Sequence, residues 1–149
     1  MSSTYSSNYV ASNCIDDDLN NFCHTQADTT DPWLSITLSA VTDVFKVVVW
    51  NRKDSCCKGR LSPLEVWVGN GLTADLCGGA AVTLPATRGP FDIGCGGLYG
   101  SVVTLQLRGT RTLNVAEVYV YRSGLHPSLS LSLSLQPALY SHSPLSRAR

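Results

Sequence analysis

Residues 51–60 read Asn-Arg-Lys-Asp-Ser-Cys-Cys-Lys-Gly-Arg, which sets an adjacent cysteine pair, Cys56–Cys57, between Arg52 and Arg60. If joined to each other, the two sulfurs close a small rigid ring that displays a flat apolar patch. The arginines beside it supply fixed forks of N–H donors. An apolar platform flanked by donors suits a ligand with one apolar face and several hydroxyls, and a deoxy sugar is such a ligand. Two other chemistries fit the same pair: a metal-binding or redox-active thiol pair, and two cysteines bridged to distant partners. A cysteine nucleophile would need a base within reach and a lowered thiol pKa, and His24 is the candidate base. Ligand binding accounts better for the neighbouring arginines. Zinc is disfavoured because no pair has the Cys-x₂₋₄-Cys spacing.

A second constellation lies near the N-terminus, where Asn13, Asp16 and Asp18 put three oxygen side chains into one short loop. Hard oxygen ligands completed by backbone carbonyls suit Ca²⁺. The competing reading is a solvated acidic turn with Asn13 in an Asx-turn.

The elements that must position these residues read as strands. Trp33–Leu38 and Leu64–Val68 alternate, and the latter stops at the hairpin-type turn Gly69-Asn70-Gly71. Phe45–Trp50 is nearly all β-branched or aromatic, as a strand buried on both faces would be. Val102–Leu107 and Val115–Tyr121 add two more, and no segment has a helical period with caps. Short strands joined by Gly-, Pro- and Ser-rich turns predict an antiparallel β-sandwich. On that frame Trp33, Trp50 and Trp67 are expected in the core, and Arg108 and Arg111 as solvated turn residues.

The 149 residues make one domain with at most a short appendage. Formal charge is zero, which removes the electrostatic case for nucleic acid or an anionic membrane. No apolar run approaches the roughly 20 residues that span a bilayer. Six cysteines, an even count, argue for an oxidising compartment and hence a secreted or extracellular protein. Met1 is followed by Ser-Ser-Thr-Tyr-Ser-Ser, which is not a signal peptide. The domain reads as starting in mid-strand, so a truncated N-terminal strand is expected. From Ser123 the composition turns to a Ser-Leu repeat and a Pro/Ser/Arg-rich end, so residues 123–149 are expected to be a disordered low-complexity tail outside a domain of residues 1–122. His126 and His142 fall in that tail and carry no role.

In chain order the pieces are Ala-Ser-Asn-Cys-Ile-Asp-Asp-Asp at 11–18, Phe22-Cys23-His24, Asp31-Pro32-Trp33, the Arg52–Arg60 segment and Ala116-Glu117-Val118. This series resembles the F-type lectins, or fucolectins, over roughly residues 2–121. These lectins share the jelly-roll sandwich of the discoidin (F5/8 type C, galactose-binding-domain-like) fold. The resemblance implies a non-catalytic domain that binds L-fucose or fucosylated glycans. His24, Arg52 and Arg60 would hydrogen-bond the sugar, the Cys56–Cys57 disulfide would stack on it, and Asp54 would hold the arginines. It also implies a structural calcium on Asn13, Asp16, Asp18 and Glu117. Single-sugar sites of this kind bind in the micromolar to millimolar range, so other domains or a homo-oligomer would add avidity. Specificity beyond the first sugar would come from loops around the site, here residues 70–95. The alternative is a discoidin-like adhesion module binding lipid or protein, against which the Gly/Thr/Asp-rich loops count.

The sequence departs from that family in three places. Five residues, Ser55 to Gly59, separate Asp54 from Arg60 where the family usually has four, and the His24–Arg52 interval is one residue longer. The extra loop residue can be absorbed as a bulge, or it can swing Arg60 away and leave Lys58 as the nearer cation. Asp17 stands where the family usually has glycine. Cys77 and Cys95 match in order a family disulfide. Relatives pair the cysteine equivalent to Cys23 with one on the last strand, where this chain has Ala116. Pairing Cys14 with Cys23 instead leaves no thiol over.

Overall fold

The computed structural model describes residues 1–70 and 73–124. Residues 125–149, with the Ser-Leu repeat, His126 and His142, lie outside the described residues, as does Gly71 of the hairpin turn.

The described chain is an all-β jelly-roll sandwich. Nine strands run in order: β1 Cys23–His24, β2 Thr29–Thr30, β3 Trp33–Trp50, β4 Glu65–Gly69, β5 Ala74–Leu76, β6 Phe91–Gln106, β7 Thr110–Arg111, β8 Asn114–Val115 and β9 Glu117–Arg122. Five form an antiparallel sheet in the order β5-β4-β6-β3-β9, and β1 pairs with β8 and β2 with β7. The helical residues among those described form only short 3₁₀ turns, at Ala11–Cys14, Lys58–Leu61 and Cys77–Gly79.

Parity along the strands builds the core, because alternate side chains point to opposite faces of a sheet. Leu34, Val66 and Leu105 face each other across three strands, as do Val47, Ile93 and Val120. Cys14, Cys23, Leu113 and Val115 pack into the same buried cluster, so the short strand pairs and the large sheet share one core.

Several expectations need correction. Trp33–Leu38 and Phe45–Trp50 are one continuous strand, β3, whose pairing with β6 shifts register between Thr37 and Thr42 and again between Val44 and Lys46. Burial on both faces is confined to Val47–Val49, while Phe45 is 53% exposed. The last predicted strand is divided at Ala116 into β8 and β9. The three tryptophans fall on the wrong parity for the core: Trp33 follows the outward face at 38% exposure, and Trp50 and Trp67 are half-buried. Residues 1–10 hold no strand; they form a strap that is irregular at 1–4, where Ser2 N–H donates to Trp33 O, and turns over 5–9, where Tyr9 N–H donates to Ser6 O.

Candidate functional site

The strap, β1 and the loop after β3 meet at one end of the sandwich. His24 sits on β1 opposite Asn114 of β8, directly after Cys23, which is bridged to Cys14 at a Cα–Cα distance of 5.4 Å. Its backbone is held on the other side by the strap, as Tyr5 N–H donates to His24 O at 2.9 Å and His24 N–H to Tyr9 O at 3.2 Å. The imidazole is buried. Its Nδ1 lies within hydrogen-bonding distance of Thr25 O. A carbonyl only accepts, so Nδ1 carries the hydrogen and Nε2 is left as an acceptor. Burial pushes the His24 pKa below its usual value; the Thr25 carbonyl opposes that, and the charges of Arg52 and Arg60 add to it. His24 is therefore neutral at pH 7.

Arg52 enters from the loop after β3. Asn51, fully buried, organises that loop: its Nδ2 donates to Lys58 O and Thr87 O, and its Oδ1 accepts from Arg52 N–H. Asp54 takes the Arg52 guanidinium through both oxygens, Nε to Oδ1 at 2.6 Å and Nη2 to Oδ2 at 2.5 Å. The hydrogen bonds from Arg52 hold the Asp54 carboxyl below its ordinary range. The same guanidinium lies 4.2 Å over the Phe22 ring. A planar cation fixed by a fork on one side and a ring on its face is pre-aimed.

Arg60 lies on the 3₁₀ turn Lys58–Leu61, where its N–H donates to Cys57 O. Cys57, at φ 66°, leads into that turn. Arg111, expected to be solvated, instead reaches across from β7. Its Nη2 donates to Arg60 O at 2.8 Å and to Ser62 O at 2.5 Å. Arg108 is exposed, as expected, and pairs with Glu65 at 2.9 Å.

These groups open onto a cavity of about 290 Å³ lined by Tyr5, Tyr9, Phe22, His24, Ala27, Arg52 and Arg60. Thus His24, Arg52 and Arg60 share one cavity, with Asp54 behind Arg52. Lys58, Cys56 and Cys57 are not among its lining residues, and Cys56–Cys57 forms a disulfide on the exposed loop leading to Arg60. Sequence reasoning missed Tyr5, Tyr9 and Phe22, whose rings surround His24 with centroids 5.1 to 6.2 Å from it. None of the described residues among 70–95, expected to act beyond the first sugar, lines this cavity. Cys77–Cys95 is the third disulfide, so all six cysteines are paired and neither Cys56 nor Cys57 offers a thiol to a substrate or to zinc.

The acidic loop is arranged differently from its expected ligand shell. Glu117, 1% exposed at the start of β9, accepts Asp17 N–H at 2.7 Å and Val118 N–H at 3.1 Å. Burial raises its pKa, the two N–H donors oppose this, and the charges of Asp16 and Asp17 raise it further. Asp17 has φ 65°, which turns its N–H toward Glu117, and its Oδ1 accepts from the Tyr119 hydroxyl. Asp16 accepts from Asp18 N–H and Asn21 Nδ2, Asp18 from Asn20, and the Asn13 amide donates to Asn8 O. Among the described residues no three His, Cys, Asp or Glu side chains converge as a metal-holding group, so Asp16, Asp18 and Glu117 are not gathered into one shell. The donor chemistry nonetheless fits a hard cation. None of the ion pairs among the described residues involves these carboxylates, and Asn21 Oδ1 is a buried acceptor with no partner.

A jelly-roll sandwich with a cavity at one loop end, walled by aromatic rings and edged by arginine and histidine, defines the discoidin-type class of binding domain. A family model described as a NedA-like, galactose-binding domain of the F5/8 type C group matches residues 13–105. The chain belongs to that family, as a fucolectin-like β-sandwich lectin domain. Among solved structures it is similar to a fucolectin from striped bass (Morone saxatilis) serum, with 30% identity and a TM-score of 0.72, covering 82% of this chain and 44% of that one. The chain thus spans less than half of that relative. A fucose binding module of Streptococcus pneumoniae shares the fold at 23% identity and TM-score 0.67, covering 83% of this chain and 91% of that one. So does the family 32 CBM of C. perfringens NanJ, solved with galactose, at 18% identity and TM-score 0.69, covering 80% and 89%. No curated protein matches the chain.

Proposed function

We propose that the domain binds L-fucose at the ends of fucosylated glycans, in the cavity between His24, Arg52 and Arg60. The carrying observation is the division of donors and acceptors there. His24 has only Nε2 left, an acceptor, and two guanidinium groups offer donors alone. A sugar hydroxyl can accept from an arginine while donating to His24, so vicinal hydroxyls are read by direction as well as position. Tyr9 and Phe22 supply the apolar wall for the deoxy face. A hydroxymethyl group in place of the methyl, as in L-galactose, would set a hydroxyl against those rings, and a hydroxyl buried there without a partner is costly. Asp54 aims Arg52, and the Cys56–Cys57 ring stiffens the loop that ends at Arg60.

The proposal extends to a structural calcium in the acidic loop, held by Asn13, Asp16, Asp18 and Glu117 with Asn21 Oδ1 as a further oxygen donor. Such an ion stabilises the loop and does no chemistry at the sugar. The loop is joined to the sugar site by Lys53 Nζ donating to Asn20 Oδ1 and by Arg88 donating to Leu19 O. Three disulfides suit a secreted or extracellular protein, and a weak single site suits avidity from repeated domains or a homo-oligomer.

The test is calorimetric titration of the oxidised, calcium-loaded protein with L-fucose, galactose and mannose, alongside His24→Ala. The expected result is saturable binding of fucose alone, in the micromolar to millimolar range, lost in the variant. Preferential binding of galactose, or fucose binding untouched by the variant, would sink the proposal.

A further inference from the structure

The cavity that takes the first sugar is graded in depth. His24 is buried and Tyr9, Phe22 and Arg52 are half-buried, whereas Tyr5, Ala27 and Arg60 are exposed on its rim. A volume of about 290 Å³ is at the small end of ligand sites and has room for one pyranose ring. Whatever the ring is attached to must leave over the rim. Tyr5 is there, 59% exposed, with its ring 5.1 Å from His24 and 5.9 Å from Tyr9.

We propose that Tyr5 is a second carbohydrate subsite, a platform on which the sugar linked to the terminal fucose stacks; this rests on the fucose reading of the inner cavity. A single exposed aromatic ring is ordinary on a protein surface. This one differs because its backbone is fixed to the site it borders. Tyr5 N–H donates to His24 O, and the preceding strap is tied down by Ser3, whose hydroxyl bonds Thr29 Oγ1 at 3.1 Å and accepts Gln26 N–H at 3.0 Å. A pre-positioned ring loses little freedom when a pyranose stacks on it. Its hydroxyl, which has no hydrogen-bond partner among the described residues, adds one donor and one acceptor for a neighbouring sugar hydroxyl. Among the described lining residues Arg60 is the one charged group on the exposed rim, and a neutral hexose meets no unlike or like charge at Tyr5. The strap thus sets glycan selectivity, in place of residues 70–95.

The experiment compares methyl α-L-fucopyranoside with 2′-fucosyllactose, titrated calorimetrically into the wild-type chain and into Tyr5→Ala, Tyr5→Phe and Asp75→Ala. The wild type should bind the trisaccharide about fivefold to tenfold more tightly than the monosaccharide, as one stacking contact allows. Tyr5→Ala should abolish that gain, weakening trisaccharide binding by more than it weakens monosaccharide binding, while Tyr5→Phe keeps most of the gain. Asp75→Ala should change neither. A gain that survives Tyr5→Ala, an equal loss for both ligands, or a gain removed by Asp75→Ala would overturn the proposal. A wild type that binds the monosaccharide with no gain for the trisaccharide overturns it alone. A wild type that binds neither ligand removes the fucose reading as well.

Discussion

The hydrogen bond from His24 Nδ1 to the carbonyl of Thr25 fixes the tautomer of the one histidine in the cavity. Nε2 then accepts, and the hydroxyl it faces must donate. Protonation would turn that acceptor into a third donor beside Arg52 and Arg60. Because burial lowers the folded-state pKa, sugar binding should be constant above about pH 6.5, the ordinary histidine value. It should weaken as pH falls through the lower folded value. Titration between pH 4.5 and 8 checks this; affinity that rises on acidification would show that the imidazolium is the binding form.

Asp54 grips Arg52 through both carboxylate oxygens yet remains 45% exposed. Such a pair adds little to stability, so its worth lies in aiming the guanidinium. Asp54→Asn should leave the melting temperature within a degree or two and lower fucose affinity by about threefold to tenfold, as loss of one aimed charged hydrogen bond would. Paired melting and titration curves separate the two effects.

Arg111 holds the main chain of Arg60 and Ser62 without lining the cavity. Arg111→Ala should weaken fucose binding about threefold or more. In an Arg60→Ala background the same change should cost almost nothing, since it acts through Arg60. The double-mutant cycle reads that coupling directly. Additive losses would mean that Arg111 supports the fold and not the site.

Removing calcium should be visible as lost stability. Chelation is expected to lower the melting temperature by about 5 °C, and excess calcium to restore it. Glu117→Gln should abolish the response; glutamine keeps an oxygen for only one of the two N–H donors, which bond different carboxylate oxygens, so the calcium-free melting temperature should fall as well. A melt indifferent to both chelator and calcium would dismiss the ion.

The fold was legible because alternation in Leu64–Val68 and the β-branched run at 47–49 are local signals of burial and pleat. Where those signals met a register shift they misled: β3 reads as two strands because Ser39, Ala40 and Val41 interrupt the pattern without ending the strand. The tryptophans misled for a related reason, since size suggested the core while parity placed them outside it. In the site, His24, Arg52 and Arg60 carried a recognisable spacing, and the structure brings them to one cavity. Tyr5 and Tyr9 carried none, and Phe22 stood in the recognised series with no role of its own. Their contribution depends on a strap folding back over β1, a long-range event that no local pattern encodes. Asn51 could have been found, as a polar residue closing a buried strand must have its amide satisfied. Asp17 was legible, as an aspartate standing where relatives have glycine, and it takes a positive φ of 65°.

The most direct measurement is a crystal structure of the oxidised chain soaked with L-fucose. The expected density is one pyranose with a hydroxyl within hydrogen-bonding distance of His24 Nε2, another on Arg52, and its methyl against Phe22 or Tyr9. Fucose bound elsewhere on the sandwich, or resting on Cys56–Cys57 with His24 untouched, would contradict the account.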